Sequence, residues 1–123
     1  MAIYKEQPSK LNLDLSDSDN PVKIKIDCFY GTVASVSFYH NGLKTINCGE
    51  TTVIGKASEL KGVTIEFNGA ANNPDGQAVK VSHTIFEENG NTTTYTFPND
   101  YTGTPEFDPN DEHPDYKFFV NLK

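Results

Sequence analysis

The sequence has no arginine and no tryptophan, and only two of its 123 residues are cysteines. Arginine supplies the planar donor fork most often used on phosphates and base edges, so its absence argues against nucleic-acid binding. Seventeen acidic residues against ten lysines give a net charge of −7. That balance also disfavours adsorption to DNA or to an anionic lipid surface. The composition therefore favours protein or small-ligand partners, with no nucleic acid among them.

Long apolar runs are also missing. No segment approaches the roughly 20 apolar residues that a membrane-spanning helix needs, so no transmembrane segment is expected. The first residues, 1–6, contain no apolar stretch typical of a secretory signal, which slightly favours the cytoplasm. Removal of a signal segment upstream is left open.

The two cysteines, Cys28 and Cys48, have no C-x-x-C spacing and so do not indicate a structural zinc site. Each falls inside a predicted strand. Because no secretory signal is visible, we expect both to be reduced and buried as small apolar side chains. A disulfide between neighbouring strands is the alternative.

Alternating apolar and polar residues run through most of the chain and predict β-strands. The clearest strand covers 22–30, and hairpin turns follow at Asn41-Gly42 and at Asn89-Gly90. One turn of helix is expected at 57–61, a turn at Asp75-Gly76 and a long loop over 98–115. Further strands are predicted at 11–15, 34–40, 43–48, 63–67, 79–86, 92–97 and 116–122.

Short strands at spacings of about 8–12 residues are typical of all-β domains. We therefore expect one domain over 1–123, an antiparallel β-sandwich of Ig-like or jelly-roll type with seven to nine strands. A small β-barrel is the alternative. The side chains expected inside are Ile24, Ile26, Val36, Phe38, Val63, Ile65, Phe67, Val81, Ile85, Phe118 and Val120.

Catalytic motifs are hard to find. The chain has no G-x-S-x-G nucleophile motif, and no histidine neighbours either cysteine in sequence. His83 falls on the apolar side of its predicted strand, where a hydrogen-bonded core residue is a better interpretation than a catalytic base. We expect no enzymatic activity, although carboxylates paired across strands cannot be recognised in a sequence.

Two acidic, turn-rich loops are the strongest indication of a cofactor. Carboxylate and amide oxygens close together are what Ca²⁺ requires, and neither loop fits the EF-hand pattern. Because Asp and Asn are also common turn formers, no cofactor is the first expectation and Ca²⁺ the alternative. The candidate metal ligands are Asp17 and Asp19 in the first loop, and Asp108, Asp111 and Asp115 in the second.

Four aromatic residues fall on the polar side of their predicted strands: Phe29, Tyr39, Phe86 and Phe119. If these strands share one sheet, the rings form an exposed apolar patch, and such a patch usually marks an interface. The alternative is that loops or the segment around Ile3 and Tyr4 cover them.

The sequence thus predicts a non-enzymatic β-sandwich module that binds a protein partner or forms a homo-oligomer. A ligand-binding domain for carbohydrate, or one assisted by Ca²⁺, is the alternative. The lack of tryptophan weakens the carbohydrate version, because sugars stack on large aromatic faces.

Overall fold

The computed structural model describes residues 3–74, 76 and 78–123, and nearly all of its regular structure is β. The turn expected at 75–76 includes Asp75, which lies outside the described residues. The strands are β1 (Ile3–Lys5), β2 (Leu11–Leu13), β3 (Pro21–Phe29), β4 (Val33–Tyr39), β5 (Leu43–Asn47), β6 (Thr51–Lys56), β7 (Thr64–Asn72), β8 (Lys80–Glu87), β9 (Thr92–Phe97) and β10 (Asp115–Leu122), with the helical turn α1 (Ala57–Leu60) between β6 and β7.

Two sheets pack face to face, which confirms the predicted β-sandwich; they do not close into a barrel. Sheet A has the order β1-β10-β7-β4-β5, and β2 pairs with β10 beyond the end of β1. Sheet B has the order β6-β3-β8-β9. All pairs are antiparallel except those of β1 and β2 with β10, which are parallel.

The described strands number ten rather than seven to nine, because β1 and β6 were not expected. Strand β1 has three residues, too few to show alternation, and β6 contains Gly55 and a bulge against β3. Strand β7 also continues beyond its predicted end at residue 67, through Ala70, Ala71 and Asn72. Small residues have low β-propensity, and only the pairing of β7 with β4 and β10 keeps them extended.

The core between the sheets confirms the predicted inward set, with one exception. Val63 is only partly buried, because it lies before β7 at the margin of the core. Phe118 lies at the centre, with its ring stacked at 4.7 Å on Phe67 and at 4.3 Å on Tyr95. Since Phe118 and Phe67 belong to sheet A and Tyr95 to sheet B, this stack joins the two layers.

The cysteines contradict the expectation that both are reduced, since Cys28 and Cys48 form a disulfide. Cys48 follows the last residue of β5, where the chain crosses from sheet A to sheet B. There Gly49 donates its N–H to the carbonyl oxygen of Ile26, which brings the crossing turn beside Cys28. The disulfide thus links the two sheets at one side of the sandwich.

The two ends of the sandwich carry different loops. Phe29 pairs with Lys80 and Val33 pairs with Asn72, so the turn at 30–32 and the connection from β7 to β8 share one end. The loop at 98–114 also leads into β10 at that end, since Asp115 lies opposite Ala70 in β7. We call this the loop end; the opposite end, which carries 14–20 and α1, is the helix end. Within the described residues, no helix is long and apolar enough to cross a membrane.

Candidate functional site

The candidate calcium ligands do not form one site, because the two groups lie at opposite ends of the sandwich. Asp17 and Asp19 are at the helix end, whereas Asp108, Asp111 and Asp115 are at the loop end. Across residues 3–74, 76 and 78–123, no three histidine, cysteine, aspartate or glutamate side chains come together in a way that could hold a metal ion.

The loop at 16–20 folds around a carboxylate that the sequence analysis did not single out, the buried side chain of Glu87. Ser16 donates both its N–H, at 2.8 Å, and its hydroxyl, at 2.6 Å, to this carboxylate. The side-chain amide of Asn20 donates to it at 2.9 Å. These donors stabilise the ionised form and lower the pKa of Glu87 to about 2. The loop's inward groups are therefore mainly donors, a poor environment for a cation.

Asp17 and Asp19 contact residues of α1 and the position after it, not the donors around Glu87. The carboxylate of Asp17, whose side chain is 92% exposed, pairs with the ammonium of Lys61. Asp19 accepts a hydrogen bond from the hydroxyl of Ser58 at 3.3 Å, from the first turn of α1. Both aspartates thus connect the loop to α1.

In the second acidic loop, Asp108 and Asp111 shape local turns. Asp108 accepts the N–H of Asn110 at 2.9 Å, and Asp111 accepts the N–H of His113 at 3.1 Å. Asp111 also accepts the phenol of Tyr4 at 2.7 Å. Burial and this hydrogen bond raise the pKa of Tyr4, so its phenol keeps the proton it donates. The turn-forming role of these residues accounts for their spacing.

The four candidate interface aromatics lie on two different sheets, so the premise that they could share one is wrong. Phe29 and Phe86 are on β3 and β8 of sheet B, whereas Tyr39 and Phe119 are on β4 and β10 of sheet A. Tyr39 is 58% exposed and Phe29 is 41% exposed, while Phe86 and Phe119 are half-buried. The sequence cannot separate the two pairs, because alternation identifies the outward side of a strand but not the sheet to which the strand belongs.

Three exposed apolar side chains occur within five residues at the turn from β3 to β4: Phe29 at 41%, Tyr30 at 59% and Val33 at 58% exposure. The ring centres of Phe29 and Tyr30 lie 6.4 Å apart. We call these three residues the apolar tip. Tyr30 and Val33 were not among the candidate interface residues. The sequence feature that indicates them is Tyr30-Gly31. This pair ends the clearest predicted strand, at 22–30, and the turn that follows has apolar residues on both sides.

The apolar tip is held in place by its backbone and by its neighbours. Tyr30 has φ 56°, a left-handed conformation that a bulky residue rarely adopts unless its surroundings impose it. The buried Thr32 accepts the N–H of Lys80 at 3.0 Å, which attaches the turn to β8. The ammonium of Lys80 lies 5.0 Å from the ring centre of Phe29 and 5.7 Å from that of Tyr30.

One buried side chain joins the apolar tip to the acidic loop. The amide of Asn73, which is 2% exposed, donates to the carbonyl oxygen of Tyr30 at 3.0 Å. The backbone N–H of Asn73 donates to the carbonyl oxygen of Glu112 at 3.2 Å. The tip and the acidic loop are therefore adjacent parts of one surface.

His83 is buried in the core, which confirms its interpretation as a hydrogen-bonded core residue. Its Nδ1 lies 2.7 Å from the carbonyl oxygen of Tyr95, and its Nε2 lies 2.6 Å from the phenol of Tyr116. A carbonyl oxygen can only accept, so Nδ1 carries the proton and Nε2 accepts from Tyr116. Burial lowers the pKa of His83 to about 4, and no substrate can reach its ring.

A second buried carboxylate, Glu6, joins the N-terminal segment to the loop at 98–114. Thr102 donates its N–H to Glu6 at 2.8 Å, and Lys10 donates its ammonium at 3.2 Å. The phenol of Tyr95 lies 3.4 Å from the same carboxylate. Burial alone would raise the pKa of Glu6, but the hydrogen bonds from Thr102, Gln7 and Lys10 outweigh it and lower the pKa. Both oxygens of Glu6 therefore accept hydrogen bonds within this network.

Two of the depressions lined by described residues are large enough to consider, and neither brings reactive groups together. One, of about 330 Å³, lies on the outer face of sheet A and is lined by residues that include Ser35, Ser37, Asn68 and Lys117. The other, of about 470 Å³, lies in the long loop beside Tyr101 and Glu106.

Comparison of this chain with protein-family models, with curated proteins and with solved structures gives no match.

Proposed function

We propose that this chain is a non-enzymatic β-sandwich module that binds a protein partner, or a second copy of itself, through the apolar tip. The observation that carries the proposal is the pair of neighbouring exposed rings, Phe29 and Tyr30, in a turn that also exposes Val33. Single exposed apolar residues are ordinary on a protein surface, but a contiguous group is typical of an interaction site.

The turn that carries the apolar tip is also held in a fixed conformation. The side chain of Asn73, the hydroxyl of Thr32 and the nearby disulfide each restrain the turn that presents it. A surface that is ordered before binding loses less conformational entropy on association. Rigid aromatic groups are also the residue type that contributes most binding energy per side chain at protein interfaces.

Carbohydrate binding is the weaker alternative. The depression on sheet A offers hydroxyls from Ser35 and Ser37 and an amide from Asn68. Among its described lining residues, the one aromatic is Tyr116, whose side chain is 2% exposed and belongs to the core. The depression therefore lacks the exposed ring on which a sugar would stack.

The self-association version is tested by light scattering on the wild-type chain from micromolar to submillimolar concentration. If copies associate through the tip, the doubly substituted Tyr30→Ser, Val33→Ser protein should be monomeric. Val53→Ser is the matched control, because Val53 is a strand valine with 52% exposure near the helix end. Association that survives the double substitution, or that Val53→Ser also abolishes, contradicts a tip interface.

The partner version is tested by selecting a displayed library of random peptides on the immobilised wild-type chain. Peptides that bind at the tip should lose affinity for the Tyr30→Ser, Val33→Ser protein and keep it for Val53→Ser. The proposal fails if the wild-type chain is a monomer and no selected peptide depends on the tip.

A further inference from the structure

We infer that the partner of the apolar tip is a protein segment that carries lysine or arginine next to an apolar residue. This inference rests on the proposed function and adds the chemistry of the partner. Its basis is the juxtaposition of Tyr30 and Glu112, which the buried side chain and backbone of Asn73 bring together.

Negative charge dominates the loop beside the tip, and the cation that lies against the tip is Lys80. Residues 98–115 contain six aspartates and glutamates and no lysine. In the described part of the chain, lysines pair with Glu6, Asp17, Asp27, Glu66 and Glu88, and with none of these six carboxylates. Glu106, Asp108 and Glu112 are exposed to solvent. A negative potential next to an apolar patch attracts a partner of positive charge and repels one of negative charge.

Other occupants fit this surface less well. Two copies meeting tip to tip would bring two acidic loops together, which costs free energy. An anionic membrane would be repelled for the same reason. A basic protein segment satisfies both features, because its apolar side chain can cover Val33 while its cation meets the carboxylates.

The ammonium of Lys80 already lies over the rings of Phe29 and Tyr30, so the partner's cation is expected at the carboxylates and not at the ring faces that Lys80 covers. Tyr30 is 59% exposed, so part of its ring remains open to solvent. An apolar side chain of the partner can cover this open part while its lysine or arginine meets the exposed carboxylate of Glu112.

The test uses the peptide selection described above and sequences the enriched pool. We expect tip-dependent peptides to be enriched in lysine or arginine beside an apolar residue. Tyr30→Ser should weaken their binding about tenfold or more, as for an aromatic residue central to an interface. Glu112→Gln should weaken it roughly two- to fivefold, and added salt should weaken the wild-type complex further.

Glu59→Gln is the matched control, because it removes the same charge from an exposed residue of α1 at the helix end. It should leave the affinity unchanged. The inference of a basic partner is overturned if the tip-dependent peptides lack basic residues. It is also overturned if Glu59→Gln and Glu112→Gln weaken their binding equally. Either result leaves the proposed function standing. Peptides that bind without the tip contradict both.

Discussion

The phenol of Tyr116 donates a hydrogen bond of 2.6 Å to Nε2 of His83, and this bond crosses the core from sheet A to sheet B. Both side chains are buried, and no solvent reaches the pair. Tyr116 in turn packs over Gly69 of the neighbouring strand, where a Cβ would lie 2.0 Å from its ring. The polar bridge thus depends on a glycine that leaves room for the ring.

This bridge makes stability depend on pH. The folded pKa of His83 is about 4, below the ordinary 6.5, so the unfolded chain binds the proton more tightly. The contribution of neutral His83 is complete above pH 6.5 and is lost as pH falls towards 4, at a cost of about 3 kcal/mol. Chemical denaturation across this range measures it. The His40→Gln, His113→Gln protein, which retains only His83, should show the same decline; a flat profile contradicts it.

Phe118→Ala should destabilise the protein by about 3–5 kcal/mol, because it opens a cavity between Phe67 and Tyr95. Phe119→Ala is the matched control, since the adjacent ring is half-buried on the outer face of sheet A and should cost distinctly less. Thermal unfolding followed by circular dichroism compares the two. Equal losses would show that the two faces of β10 are wrongly assigned.

Reduction of the Cys28–Cys48 disulfide should lower the free energy of unfolding by about 3 kcal/mol, since it releases a loop with a sequence separation of 20. The measurement is the melting temperature with and without a thiol reductant, together with labelling of free thiols in the unfolded protein. The double Cys28→Ala, Cys48→Ala variant should have the melting temperature of the reduced wild-type protein, and the reductant should not change it. Two labelled thiols in the untreated protein would contradict the disulfide.

Glu87→Gln should loosen the loop at 16–20, because an amide places donors opposite the hydroxyl and N–H of Ser16. Amide exchange should accelerate at Ser16, and the melting temperature should fall. Glu88→Gln is the neighbouring control; its exposed carboxylate contacts Lys23 at 3.3 Å and contributes little. The stabilisation by Glu87 is present above its unfolded pKa of 4.5 and is lost as pH falls towards 2.

Millimolar calcium should leave the melting temperature unchanged. A ligand that binds only the folded state raises this temperature by mass action, but Asp17 pairs with Lys61 and the loop directs donors at Glu87. The measurement is the melting temperature of the protein as calcium is titrated into it. A calcium-dependent rise that Asp17→Asn and Asp19→Asn abolish would restore the first loop as a calcium site.

Much of the fold was predictable because its signals are local. Alternation placed Ile24, Phe67 and Val120 inside, and the Asn-Gly pairs at Asn41 and Asn89 formed turns with positive φ at both asparagines. His83, in register with apolar neighbours, was correctly assigned to the core. Each inference needs only a strand's own residues.

The candidate site depended on contacts between residues far apart in the chain. Asn73 is 43 positions from Tyr30, and Glu87 is 71 positions from Ser16, yet each pair is within hydrogen-bond distance. No local sequence pattern indicates that residues so far apart in the chain are in contact.

The sequence alone determined which side of each strand faces inward, since a period of two follows from the backbone of an extended chain. The tertiary structure decided which sheet each strand joins, and with it three further outcomes. It placed Phe29 and Tyr39 on different sheets, brought Cys28 beside Cys48, and placed the apolar tip next to the acidic loop. These outcomes depend on non-local strand pairing, which is selected by the packing of the whole core.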